Sequence, residues 1–166
     1  LIFIFHYNLV IAQESHILNS DIASGVIYEA NIRQYSKEGT FNAFTRDIPV
    51  LKDLGIKVIW LMPVNPISTT KSKGPLGSYY AVSDYEKVNP EFGTEEDFRD
   101  LVEKAHDLGI YIILDWVPGH TGWDHVWIKK HSDYYVKNRK GEILIDKKFK
   151  PKYESQNLSV LEKILL

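Results

Sequence analysis

The chain contains no cysteine among its 166 residues, which excludes disulfide bonds, thiol nucleophiles and thiolate metal ligands. It also lacks an excess of either charge, since 20 Lys and Arg stand against 22 Asp and Glu and the formal net charge is -2. This balance gives no electrostatic reason to expect nucleic acid or an anionic membrane as a partner. With 44% hydrophobic and 25% charged residues, the composition is that of a globular chain with one core.

No apolar run is long enough to form a stable membrane span, because a spanning helix needs about 20 apolar residues. Residues 1–12 are apolar but shorter, and they end in Val-Ile-Ala before Gln13. Small residues at that place are typical of a signal-peptide cleavage site. We therefore interpret residues 1–24 as a signal-peptide remnant and a polar lead-in, and we expect a secreted or periplasmic protein. The alternative is a buried N-terminal strand.

Sequence motifs for nucleotides and for zinc are also missing. No Gly-x-Gly-x-x-Gly follows a predicted strand and no P-loop occurs, so nucleotide binding loses its main sequence signature. His120, His125 and His131 do not have the spacing of the helical His-Glu-x-x-His pattern. We therefore predict no metal site from these histidines.

Strand and helix patterns alternate in the middle of the chain. Strands are predicted at residues 25–32, 56–62 and 110–117, which are rich in Val, Ile and Tyr. Apolar strands that alternate with helices predict parallel pairing through right-handed crossovers. The pattern fits either a doubly wound sheet or the beginning of a (β/α)8 barrel, and the missing nucleotide motifs favour the barrel.

Two amphipathic helices are predicted between these strands. Thr40 can cap the first helix, and Thr94 with Asp97 forms the capping-box pattern that begins the second. Pro49 predicts a kink inside the first helix. The predicted buried stripes are Phe41, Phe44, Ile48, Leu51 and Leu54 in the first helix, and Phe98, Leu101, Val102, Ala105 and Leu108 in the second.

The third predicted strand leads directly into two polar residues. Tyr111–Leu114 is a short apolar run, which predicts burial on both faces of a parallel sheet. Asp115 follows at its carboxyl end, and His120 lies in the loop after Pro118-Gly119. Ligands bind at this end of the strands in parallel α/β folds, so the two residues indicate a candidate site. The alternative is that Asp115 caps the following turn and His120 is an ordinary loop histidine.

Four segments carry a family resemblance, at residues 25–35, 53–64, 80–94 and 115–121. The third begins Tyr-Ala-Val-Ser-Asp-Tyr, and the fourth reads Asp-Trp-Val-Pro-Gly-His-Thr. In their order and spacing they resemble the N-terminal part of the catalytic barrel of glycoside hydrolase family 13, the α-amylase family. The type that they resemble is the bacterial secreted α-amylase, with Trp after the Asp and Trp-Asp-His after the His-Thr.

The resemblance implies an α/β fold, namely a partial (β/α)8 TIM barrel with about the first three strand–helix units. It places the N-terminal portion of the catalytic barrel at residues 25–122 and the start of an inserted small domain at residues 123–150. Residues 151–166 form a tail that does not match the family. The implied activity is retaining, endo-type hydrolysis of α-1,4-glucosidic bonds, with a starch-like α-glucan or maltooligosaccharide as substrate.

The resemblance also implies three substrate-binding residues. Tyr80 matches the aromatic residue that stacks on the sugar at the cleavage point, and His120 matches the histidine that hydrogen-bonds a hydroxyl of that sugar. Asp115 matches the carboxylate that supports the catalytic cluster from the end of the third strand. For Tyr80 the alternative is a packed loop aromatic, since Tyr79 and Tyr85 lie close to it in the sequence.

Gly119 departs from the family pattern, which has Asn before the histidine. That Asn helps to bind a structural calcium in many members, through an amide oxygen that a hard cation accepts. Because glycine has no side-chain oxygen, we predict no calcium at this position and no cofactor.

The chain also shows no match to the segments that carry the family's catalytic pair. Glycosidases of this type need two carboxylic groups that flank the glycosidic bond, one as nucleophile and one as general acid/base. The family places them after the fourth and fifth strands, and nothing after His120 resembles those segments. We therefore expect an inactive fragment without catalytic residues. The alternatives are a non-catalytic glucan-binding module, a transglycosylase or branching enzyme as the full-length parent, and a fragment without biochemical function.

Overall fold

The computed structural model describes residue 22 and residues 24–72 and 74–144. The predicted signal-peptide remnant at residues 1–12 and the tail at residues 151–166 lie outside these residues. The described part contains a parallel sheet, two long helices packed on it, and loops that leave the carboxyl ends of the strands.

The sheet has three parallel strands in the described part of the chain. They are β1 (Val26–Ala30), β2 (Ile56–Leu61) and β3 (Tyr111–Leu114), in the order β1-β2-β3. Ile59 of β2 pairs with Tyr28 of β1 on one side and with Ile112 of β3 on the other. The first strand ends at Ala30, earlier than predicted, because Asn31 caps a short helix that follows at once. The predicted parallel pairing is confirmed.

Helices connect the strands and begin where the capping residues predict. The helices are α1 (Ile32–Tyr35), α2 (Phe41–Asp53), α3 (Glu95–Asp107) and α4 (Val126–Lys130), followed by a 3-10 turn at Ser132–Tyr134. Thr40 accepts a hydrogen bond from the backbone of Ala43, and Thr94 forms a capping box with Asp97. Helix α2 continues through Pro49 as one element, and the short α1 was not predicted. None of these helices is both long and apolar enough to cross a membrane.

Helices α2 and α3 pack on one face of the sheet and form the core with it. The main buried residues of this core are Phe41, Phe44, Ile48 and Leu51 of α2, Leu101 and Ala105 of α3, and Ile56, Ile59 and Leu61 of β2. Phe98, Val102 and Leu108 are partly buried against them. The predicted stripe is wrong at Leu54, which is 70% exposed, because α2 ends at Asp53 and Leu54 is its C-cap.

The opposite face of the sheet is largely apolar and, apart from the buried Val58, largely exposed. Trp60 and Ile113 are register partners, and their exposed fractions are 39% and 45%. Tyr111, two residues before Ile113 on the same face, is 40% exposed. The prediction that β3 is buried on both faces is therefore wrong. Side chains alternate between the two faces of a strand, and on the helix-covered face of β3, Ile112 is partly buried while Leu114 is still 48% exposed.

A matched pair of isoleucine substitutions tests this one-sided burial. Ile59→Ala should lower the free energy of unfolding by about 2–5 kcal/mol, because it removes a fully buried side chain and leaves a cavity. Ile113→Ala, in the neighbouring strand, should lower it by about 1 kcal/mol or less, because that side chain is largely exposed. Urea denaturation followed by circular dichroism measures both values. Equal losses would contradict the described packing.

Candidate functional site

Asp115 lies at the carboxyl end of β3, beside β2. Its backbone N–H donates to the carbonyl oxygen of Leu61 at 2.8 Å, which continues the ladder between the two strands by one residue. Because side chains alternate along a strand, Asp115 lies on the same face as Ile113 and Trp60. Its carboxylate therefore stands at the rim of the exposed sheet face, where the predicted site was expected.

Tyr80 and Asp115 are in direct contact. Tyr80 Oη donates a hydrogen bond to Asp115 Oδ2 at 2.8 Å, although the residues are 35 positions apart in the sequence. Both side chains are half-buried. A hydrogen bond to a charged group is stronger than one between neutral groups, so this contact holds the phenol ring in one orientation beside the carboxylate.

Arg33 supports the segment that carries Tyr80. Its guanidinium carbon lies 4.8 Å from the centroid of the Tyr79 ring, a cation–π distance. Its Nη2 also lies 2.6 Å from Oε2 of Glu91. Because Arg33 belongs to α1, directly after β1, these contacts tie the carboxyl end of β1 to the long connection between β2 and α3.

Two loops meet above the strand ends. We call residues 62–94, which follow β2, the Tyr80 loop, and residues 115–125, which follow β3, the His120 loop. The N–H of Gly122 donates to the carbonyl of Val82 at 2.7 Å, and the N–H of Val126, at the start of α4, donates to the carbonyl of Ser83 at 3.1 Å. The two loops are therefore joined by backbone hydrogen bonds close to Tyr80.

Asp124 adds a charged contact between the same loops. Its Oδ2 accepts hydrogen bonds from the backbone N–H groups of Thr69 and Thr70, each at 3.0 Å. Burial by itself would raise the pKa of the Asp124 carboxyl, but the hydrogen bonds from Ser68, Thr70 and Thr69 outweigh it and hold that pKa below its usual range. The carboxylate therefore remains ionised and keeps both backbone donors.

Gly122 allows the two loops to approach closely. A Cβ atom at this position would lie 2.2 Å from the Cβ of Ser68 and 3.1 Å from the carbonyl oxygen of Ala81. Heavy atoms do not approach to 2.2 Å without a bond, so a larger residue here would push the loops apart. Sequence reasoning missed Gly122 and Asp124, because no local pattern marks contacts of this kind. The partners of Asp124 lie 54 and 55 positions away in the chain.

His120 lies in the loop that follows β3, as predicted, and its side chain is exposed. Its loop brings it to the same end of the sheet as Asp115 and Tyr80. No described residue forms a hydrogen bond with its imidazole, so the structure joins Tyr80 with Asp115 directly and places His120 through the backbone of its loop.

His125 is a second histidine near the site, and it is buried, with 1% of its surface exposed. Its Nδ1 accepts a hydrogen bond from the backbone of Trp127 at 3.1 Å, and its Nε2 has no hydrogen-bond partner among the described residues. The rings of Tyr85 and Trp127 pack against it, with centroids at 5.1 and 4.7 Å. Burial lowers the pKa of His125, and the negative charges of Asp84 and Asp124 offset only part of this effect.

The absence of calcium at Gly119 stays a prediction. Gly119 contributes no side-chain oxygen, and a calcium ion takes six to eight oxygen ligands. Within the described ranges, no three His, Cys, Asp or Glu side chains lie together in a group that could hold a metal ion. We assign no step of a reaction to a metal.

A comparison with protein families decides the relationship. The family model described as "Alpha amylase, catalytic domain" matches residues 18–158. The chain belongs to the α-amylase family. The predicted membership in glycoside hydrolase family 13 is thus confirmed, and the match includes Tyr80, Asp115 and His120.

Curated members of the family match the same part of the chain. Alpha-amylase SusG of Bacteroides thetaiotaomicron is 43% identical over 94 residues, which are 57% of this chain and 13% of SusG. The amino acid transporter heavy chain SLC3A1 of Rattus norvegicus is 32% identical over 120 residues, which are 66% of this chain and 16% of that protein. The chain thus spans between 13% and 25% of the length of these and similar curated relatives.

A solved structure supports the same relationship. The crystal structure of an α-amylase from Lactobacillus plantarum aligns with a TM-score of 0.73 at 38% sequence identity. The alignment covers 76% of this chain and 30% of the amylase. The described strands and helices therefore form an N-terminal part of the α-amylase (β/α)8 barrel, and the predicted fold class is confirmed. The predicted domain division between residues 122 and 123 stays a prediction.

The buried His125 should make the chain less stable in mild acid. Its pKa is lower in the folded chain than its ordinary value of about 6.5, so below that pH the unfolded chain binds the proton first. The free energy of unfolding should therefore fall as the pH is lowered from 7 to 5. In His125→Asn, which keeps a capping acceptor for Trp127 and does not titrate, the fall should be smaller. Urea titrations at each pH measure it.

An exposed histidine provides the control for this experiment. His106 is exposed on α3, so His106→Asn controls for the loss of a histidine outside the buried site of His125. At pH 8, His125→Asn should be less stable by about 1–3 kcal/mol because ring packing is lost. If its curve of stability against pH ran parallel to that of the unmodified chain, His125 would not be the group responsible.

Proposed function

We propose that this chain supplies the sugar-binding side of a glycoside hydrolase site that cleaves α-1,4-glucosidic bonds in starch-like glucans. The observation that carries the proposal is the hydrogen bond of 2.8 Å between Tyr80 and Asp115 at the carboxyl ends of the barrel strands. In (β/α)8 enzymes this end carries the active site. The family membership supports glycoside hydrolase or transglycosylase chemistry for the parent protein.

The proposed role of Tyr80 is a platform for one face of a glucose ring. An aromatic ring offers a flat apolar surface to the C–H groups of a sugar, and it loses little entropy on binding when its orientation is already fixed. The bond to Asp115 provides this fixation. The Tyr79 ring, which stacks under Arg33, supports the adjacent backbone.

The proposed role of Asp115 and His120 is to hydrogen-bond sugar hydroxyls. A carboxylate offers about four lone-pair positions, of which Tyr80 occupies one on Oδ2, so Asp115 can accept further hydrogen bonds. The exposed imidazole of His120 can donate to or accept from a hydroxyl. Together the three side chains offer an apolar face with polar groups beside it, which is the pattern of a sugar subsite.

We assign neither the nucleophile nor the general acid/base to residues of this chain. Retaining glycosidases hold these two carboxyl groups about 5–5.5 Å apart on either side of the bond. The segments that carry them in the family have no counterpart among the 166 residues. Asp115 is proposed to orient the substrate, because its carboxylate is already engaged by Tyr80.

The second candidate function is a non-catalytic one. The rat relative that matches 66% of this chain is named as an amino acid transporter heavy chain, which is not the name of a glycosidase. This part of the barrel therefore occurs in proteins with different roles. If the chain is a binding module, it should bind glucan through Tyr80 and should not hydrolyse it.

Glucan binding provides the first test of the proposed subsite. Tyr80→Ala should raise the Kd for maltoheptaose by about tenfold, because it removes both the stacking surface and the partner of Asp115. Tyr111→Ala is the matched control, since it removes an exposed tyrosine at the amino end of β3, and it should leave the Kd unchanged. NMR titration of the chain measures both. Without measurable binding by the unmodified chain, the proposed subsite would be refuted.

Hydrolysis provides the second test. The purified chain should release no reducing ends from soluble starch, because hydrolysis needs two catalytic carboxyl groups and we propose that this chain does not supply them. His120→Ala should be equally inactive. Activity in the unmodified chain that is lost in His120→Ala would show that this chain supplies its own catalytic carboxylates, and it would contradict the assignment above.

A further inference from the structure

Tyr85 belongs to the Tyr80 loop, and its hydroxyl contacts both sides of a turn in the His120 loop. Its phenol oxygen lies 3.0 Å from the carbonyl oxygen of Val117 and 2.8 Å from that of His120. These two carbonyls flank the Pro118-Gly119 turn. The single hydroxyl hydrogen is thus shared between two backbone acceptors, one on each side of the turn.

The Tyr85 hydroxyl supplies the hydrogen bond that holds the two ends of the turn. A β-turn from Val117 to His120 would be closed by the backbone N–H of His120, and among the described residues this N–H donates no hydrogen bond to the carbonyl of Val117. Loss of the donor to a partly buried carbonyl such as that of Val117 destabilises the folded chain, and the carbonyl of His120 accepts from the same phenol. The hydroxyl of Tyr85 is therefore well placed to fix the distance between Val117 and His120.

Aromatic packing fixes the ring that carries the hydroxyl. The Tyr85 ring centroid lies 6.3 Å from Trp116, 5.1 Å from His125 and 5.4 Å from Trp127. Burial raises the pKa of the Tyr85 phenol above its ordinary value, and the nearby Tyr135 contributes in the same direction. The hydroxyl therefore remains protonated and able to donate throughout the neutral range.

We propose that Tyr85 is a positioning residue. By holding the Pro118-Gly119 turn, it sets the position of the His120 imidazole relative to Tyr80 and Asp115. Tyr85 does not itself touch the sugar. Tyr80 and Tyr85 belong to the same loop, so one loop supplies both the stacking platform and the brace for the opposite loop. The proposal rests on the function proposed for His120, and its structural part can be measured without a glucan.

Tyr85→Phe tests the proposal, because it keeps the ring and its packing and removes only the hydroxyl. In the full 166-residue chain, hydrogen exchange at the Gly122 amide should become about 2- to 10-fold faster, since this amide bonds Val82 across the two loops. The imidazole C–H signals of His120 in the NMR spectrum should shift or broaden. Exchange at the β2 amides of Val58 and Trp60 should not change.

Tyr35→Phe is the matched control. It also removes a phenol hydrogen bond, from Tyr35 to Asp47, but in the helical layer behind the sheet. It should leave the Gly122 exchange rate and the His120 signals as they are. Uniform acceleration of exchange in Tyr85→Phe, including β2, would show a general loss of stability and would overturn the positioning role. Rapid exchange of Gly122 in the unmodified chain would overturn it as well.

Maltoheptaose binding separates this inference from the proposed function. If the unmodified chain binds, Tyr85→Phe should raise the Kd by about 2- to 10-fold, and Tyr35→Phe should not. If the local changes occur and the Kd stays the same, the positioning role for sugar binding is refuted. If the unmodified chain does not bind at all, the proposed function fails, and the Gly122 and His120 measurements still decide whether Tyr85 holds the turn.

Discussion

The site depends on the parallel pairing of β2 with β3, which the hydrogen bond from Asp115 to Leu61 carries one residue beyond the strand. Pairing in a sheet fixes which side chains share a face, and a slip by one residue reverses that face. In the observed register Asp115 shares a face with Ile113, and Tyr80 reaches its carboxylate from the preceding connection. A slip would turn the carboxylate toward the helices and break this contact.

The loops above the strand ends behave as one unit because several kinds of contact join them. Backbone hydrogen bonds connect Gly122 with Val82, the Asp124 carboxylate accepts from Thr69 and Thr70, and the Tyr85 hydroxyl reaches across the turn before His120. Binding groups on loops need such support to keep their geometry. A carboxylate, a backbone amide and a phenol hydroxyl each supply part of this support.

Local features of the structure could be predicted from the sequence, and features that depend on distant contacts could not. The caps at Thr40 and Thr94 and the place of Asp115 after a strand follow from patterns within a few residues. The exposure of β3 could not be predicted, because it depends on what covers a sheet face rather than on the strand itself. The burial of His125 could not be predicted for the same reason, since Tyr85 and Trp127 enclose it only after the loops meet.

The contact between Gly122 and Ser68 has a consequence for how this part of the barrel can change. Since a Cβ at residue 122 would overlap the side chain of residue 68, the two positions are not independent of each other. A side chain can be introduced at position 122 only together with a smaller residue at position 68, or with an altered path of one loop. Libraries that vary a single position at a time would therefore miss the variants in which this loop pair is reshaped, and paired randomisation of both codons is needed to reach them.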